Sequence, residues 1–152
     1  MMTWIQRGGP VVWPLLLLSL LATTVVIDRI RFWMRTGRQH DELLELARRE
    51  GLEAVERLIA RGMVLLDTVI TIAPMLGILG TVTGIIQSFE LLGGEARPDP
   101  LGVSSGIAEA LITTALGLVV ALCTILPYNW LRARIRTVLF DLELALQREE
   151  AP

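Results

Sequence analysis

Three long apolar runs alternate with charged, helically periodic stretches along the 152 residues of this chain. The first reads VVWPLLLLSLLATTVVI, Val11 to Ile27, 17 residues without a charge before Asp28 and Arg29. The helical pattern continues through Arg29-Ile30-Arg31-Phe32-Trp33, and no small-residue cleavage site follows. A retained membrane helix is therefore expected rather than a signal peptide, the alternative for an N-terminal apolar run. Pro14 falls in its first turns, where proline is tolerated, and Trp13 and Trp33 stand where headgroup regions would lie. A second helix is predicted from near Met63, past Asp67 and through apolar residues from about Val69 to Glu90. The third starts near Val103 and runs to about Tyr128.

Between the first two runs the periodicity changes. Leu43, Leu44, Leu46, Ala47, Val55, Leu58 and Ile59 recur at helical spacing among acids and arginines, with Glu45–Arg49 and Glu53–Arg57 at i,i+4. This predicts a short solvated amphipathic connector, with a break at Gly51; a partner-binding surface is the alternative. After Tyr128, Leu131, Ile135, Val138, Leu139, Leu142 and Leu146 fall on one face, so the third helix should continue into water. The loop between the second and third helices, GGEARPDPLG, is rich in breakers.

The second run, APMLGILGTVTGIIQSF over Ala73 to Phe89, is not uniformly apolar around its axis. At 100° per residue Ala73, Pro74, Gly77, Gly80, Thr81, Gly84 and Ser88 fall within roughly 120° of arc. The third helix repeats this with Gly106, Ala110, Thr113, Thr114, Gly117 and Ala121. Lipid has no use for such stripes, whereas small residues let two backbones approach and hydroxyls supply polar contacts. The two helices should pack antiparallel and share these faces, which places Thr81 and Thr114 on a polar line at membrane depth. Spacing alone leaves open whether each threonine merely bonds back to its own helix. Glu109 is the one acid in the third run. It marks either an ion path or a carboxylate hydrated near the outer interface, with Gln87 and Ser88 close by.

Composition narrows the class. Hydrophobic residues make up 53% and mean hydropathy is +0.57 despite 20% charge, as expected of an all-α membrane protein with charged extensions. All 14 basic residues are arginines, and twelve of them follow the first and third runs while only Arg7 and Arg97 lie on the other side. The positive-inside rule then gives three spans, the N-terminus outside and the C-terminus cytoplasmic. Their expected bounds are about 11–31, 69–89 and 105–128, with a cytoplasmic helical segment over 34–66, a tail over 129–152, and one domain throughout. The net charge of −2 and the lack of a basic aromatic patch argue against nucleic acid. Cys123 is expected to be a small packing residue, and His40 a solvated loop residue rather than a ligand. No cofactor, metal site or catalytic residue is indicated: there is no histidine cluster, phosphate loop or nucleophile–base pair.

The strings IAPMLGILGTVTGIIQSF and GIAEALITTALGLVVAL followed later by YN resemble the MotA/TolQ/ExbB proton-channel family, most closely its ExbB/TolQ-like branch. They cover about a third of the chain. The resemblance implies a proton-channel subunit of a multi-pass bacterial inner-membrane motor, which uses the proton-motive force to energise transport or envelope processes. It implies a homo-oligomer, pentameric in that branch, around an ExbD/TolR-like single-span partner carrying a membrane aspartate, with a TonB/TolA-like protein as a further partner. The family's pore-side threonines map onto Thr81 and Thr114, with Thr113 beside them, and its third-helix glutamate onto Glu109. Two departures stand out: the cytoplasmic segment is short, and proline appears at Pro127 where members often have it at the position of Cys123. A flagellar-type stator, usually of four spans, is the rival within the family. A proton-coupled transporter using Glu109, or a non-conducting scaffold, is the rival outside it.

Overall fold

The computed structural model describes residues 11–36, 40–93 and 100–150, and all of its regular structure is α-helix. The N-terminal tail and most of the Gly/Pro-rich loop lie outside these residues, as does the side chain of His40. There are five described helices: α1 Val12–Thr36, α2 His40–Glu50, α3 Leu52–Ile59, α4 Met63–Gly93 and α5 Pro100–Glu150. Two carry stretches long and apolar enough to cross a membrane, Met63–Glu90 and Gly102–Arg148.

The breaks fall where the backbone needs glycine. Gly51 separates α2 from α3 at φ +86° and ψ 164°, a conformation that a Cβ makes costly. Its amide still donates to the Ala47 carbonyl, and its own carbonyl accepts from the Ala54 amide. Gly62, at φ +84°, turns the chain into α4, and its carbonyl caps the new helix by accepting from the Leu66 amide. Pro74 and Pro127 sit inside α4 and α5, and neither ends its helix. At 51 residues α5 is about 77 Å long.

Packing divides into two clusters stacked along α5. Leu15 and Ala22 of α1 meet Leu66, Val69 and Ala73 of α4 and Leu131 of α5. Beyond Leu131, Leu43 and Ala47 of α2 and Val55 and Ile59 of α3 close against Ile135 and Leu142. The amphipathic connector is thus not simply solvated: its apolar face meets the apolar face of the long tail. Glu45–Arg49 and Glu53–Arg57 are both paired on its outer side.

Leu58, in the same periodic set, is 44% exposed, while Val55 and Ile59 are buried toward α5. Two expectations need correction. Cys123 is exposed rather than packed, since it lies on the side of α5 away from α1 and α4. The third long helix begins at Pro100, three residues before the predicted Val103, because proline suits a first turn.

Candidate functional site

The small faces of α4 and α5 meet each other, and their contacts run in opposite directions along the two helices. Ala73 and Gly77 face Gly117, Gly77 also faces Thr114, Gly80 faces Thr113, Gly84 faces Ala110, and Ser88 faces Gly106. The two backbones themselves meet at Gly117 and Gly77. A Cβ on Gly117 would lie 2.5 Å from the Ala73 carbonyl oxygen and 3.1 Å from Gly77 Cα. On Gly77 it would lie 3.1 Å from Thr114 Cα and 3.2 Å from two carbonyl oxygens. Glycine is required here by proximity, as in close-packed membrane helices generally. Ala110 and Ala121 are buried, and Pro74 is half-buried on the same side.

This closeness makes a polar node. Thr114 Oγ1 donates across the interface to the Gly77 carbonyl oxygen at 2.9 Å, and Thr81 Oγ1 donates to the same oxygen at 3.1 Å. The two hydroxyls also touch each other. Each hydroxyl carries one hydrogen, so three oxygen–oxygen contacts share two protons. When both donate to Gly77, the Thr–Thr contact has no hydrogen; when one donates to the other, only one bonds the carbonyl. The hydroxyl lone pairs are left to accept from a further donor. Thr81 bonds back within α4, whereas Thr114 bonds to the other helix.

The remaining predicted residues lie on either side of this node. Thr113 is fully buried; its Oγ1 donates to the Glu109 carbonyl at 3.1 Å and its methyl fills the space left by Gly80. Glu109 is half-buried, about one turn from Thr113. Ser88 is buried, donates to Gly84 O at 2.8 Å and packs on Gly106; Gln87 points outward. Ser88 and Gln87 thus do not join one polar pocket. Among the described residues no cluster of three or more His, Cys, Asp and Glu side chains converges as a metal site would.

Sequence reasoning missed Arg29. It stands among eight arginines between the first two apolar runs, yet it is buried, with its guanidinium over the Phe32 ring and Nη1 3.5 Å from the Leu58 carbonyl. Its Nε lies 3.7 Å from an Asp28 carboxylate oxygen, an ion pair by distance, but makes no hydrogen bond. Because Asp28 is largely exposed, the pair is weak and the main anchor is the α3 carbonyl. No signal in the sequence singles Arg29 out, since its burial depends on the turn at Gly62.

Comparison with known proteins covers the whole of this site. The model of the MotA/TolQ/ExbB proton channel family matches residues 21–143. The ExbB-like 1 protein of Synechocystis sp. is 34% identical over 81% of this chain and 67% of its own length. The ExbB-like 3 protein of the same organism is 33% identical over 84% and 83%. The Tol-Pal system protein TolQ of Haemophilus influenzae is 36% identical over 62% of this chain and 40% of its own length.

Proposed function

The chain belongs to the MotA/TolQ/ExbB proton channel family, in its ExbB/TolQ-like branch, and on that premise we propose that it is the channel subunit of a proton-driven motor in a bacterial inner membrane. Three spans are proposed: α1, α4 and the first part of α5. The N-terminus is outside, and the arginine-rich connector and tail are in the cytoplasm. Copies assemble as a ring, pentameric as the resemblance implies, around an ExbD/TolR-like single-span partner. A TonB/TolA-like protein would take up the force.

The observation that carries this reading is the Thr81–Thr114–Gly77 node. An alcohol can pass a hydrogen bond along but holds no extra proton near neutral pH, so the node can line a proton path and not store its cargo. No Asp, Glu, Arg, Lys or His occurs between Asp67 and Glu90 of α4, and Glu109 is the only residue of these types from Gly102 to Leu131 of α5. A carboxylate from another chain fits this shortage. In the proposed cycle the partner's membrane aspartate takes a proton, moves past the threonine node, releases it, and is displaced within the ring. Each proton entering at a potential of 100 mV supplies about 2.3 kcal/mol.

The test is co-expression with a partner of that type. The partner should co-purify, and Thr114→Val should stop the energised process without preventing assembly, while Thr114→Ser keeps it. Proton uptake by the purified chain alone, abolished by Glu109→Gln, would overturn the motor in favour of a transporter.

A further inference from the structure

The part of α5 from Trp130 onward has two apolar faces, and the chain itself covers only one. Ile135 and Leu142 face α2 and α3. On the other side Trp130, Ala133, Thr137, Phe140 and Leu144 are all exposed, Phe140 by 60%. Their spacings are 3, 4, 3 and 4 residues, the seam of a seven-residue repeat. Lipid cannot cover this seam, because Arg132, Arg134, Arg136, Asp141, Glu143 and Arg148 crowd the same segment.

The flanking charges identify the occupant. Arg136 and Glu143 immediately precede the seam positions Thr137 and Leu144, Asp141 immediately follows Phe140, and Arg148 immediately follows Gln147, the exposed residue at the next position of the repeat. None of these four has an oppositely charged residue three or four positions away on its own helix. In parallel coiled helices a residue on the first flank meets the residue five positions further along on its neighbour's second flank. A second copy in parallel then pairs Arg136 with Asp141 and Glu143 with Arg148, both attractive. Copies inserted by the same arginine asymmetry lie parallel, as this pairing demands.

We infer that the exposed seam Trp130–Leu144 of α5 joins adjacent copies of this chain as a parallel coiled coil outside the membrane, with Arg136–Asp141 and Glu143–Arg148 setting its register. The inference rests on the homo-oligomer of the proposed function and names the surface that builds it.

The test uses the full chain in membranes with Cys123→Ser as background. A cysteine introduced by Thr137→Cys, on the seam, should cross-link copies much more than one introduced by Arg132→Cys, which is exposed but off the seam. Arg136→Glu and Asp141→Arg should each lower the Thr137→Cys cross-link about fivefold, the scale of one exposed pair turned from attraction to repulsion. Combining the two reversals should restore it. All four charges are exposed, so these changes leave the chain's own packing intact. Equal, low cross-linking at both positions in a protein of oligomeric native mass overturns the seam and leaves the ring standing. A monomeric mass for the unsubstituted chain overturns both. Failure of the double reversal to restore cross-linking, or cross-linking only to another protein, also overturns the seam.

Discussion

Replacing Gly117 by alanine should separate α4 from α5 at the point where the polar node forms. The added Cβ would meet the Ala73 carbonyl oxygen at 2.5 Å, with Gly77 Cα and N at 3.1 and 3.2 Å. All three neighbours are backbone atoms, so no side chain can rotate away. Restoring a contact of about 3.4 Å requires the helices to part locally by about 1 Å. The Thr114–Gly77 hydrogen bond, 2.9 Å long, would then stretch to about 3.8 Å and be lost. Rigid overpacking of this kind costs about 3 kcal/mol, and alanine's better helix propensity returns about 1 kcal/mol. The net loss of about 2 kcal/mol is measurable by SDS-induced unfolding of the purified protein in mild detergent. Gly80→Ala provides the contrast, because its Cβ meets only the Thr113 side chain. Thr113→Ala should relieve part of the cost of Gly80→Ala, and no side-chain truncation should relieve that of Gly117→Ala. A Gly117→Ala protein as stable and as active as the parent would refute the claim that backbone contact holds the node together.

Other expectations follow from the same packing. Leu142→Ala removes a fully buried side chain from the cluster between α5 and the α2–α3 pair and should cost about 3 kcal/mol, seen as faster amide exchange in α2 and α3. The same truncation at Leu58, which is 44% exposed, should cost less than about 1 kcal/mol in the same assay. Gly51→Ala should destabilise the connector by about 1–3 kcal/mol although nothing lies within 4 Å of its Cβ, because the cost is in the backbone angles. A Gly51→Ala melting curve that overlays the parent's would show that the α2–α3 break does not depend on them.

Much of this architecture was legible because spacing alone specifies a helical face. Gly77, Gly80 and Gly84 on one helix and Ala110, Gly117 and Ala121 on the other identified the contact surfaces, and the short connection implied an antiparallel pair. The break at Gly51 was legible for the same local reason, a residue free to take positive φ between periodic segments, whereas the turn at Gly62 showed only as the expected start of a helix near Met63. Periodicity could not tell which hydroxyl crosses the interface. Thr113 and Thr114 are adjacent, and the rotation of α5 decides that one fills the gap at Gly80 while the other reaches the Gly77 carbonyl. Cys123 was misread because an apolar run looks the same whether it faces protein or the outside. Arg29 was invisible because its burial depends on a turn 33 residues away in the chain, at Gly62. The second seam on α5 was hidden by the first: with apolar residues on two faces, amphipathic reading stops at whichever is found first.

The most direct test of the account is proton entry into liposomes carrying this chain together with its single-span partner, under an imposed membrane potential. The parent complex and its Thr114→Ser form should admit protons, while Thr114→Val, assembled to the same extent, should not. Undiminished proton entry through the Thr114→Val complex would contradict the assignment of the Thr81–Thr114 node to the proton path.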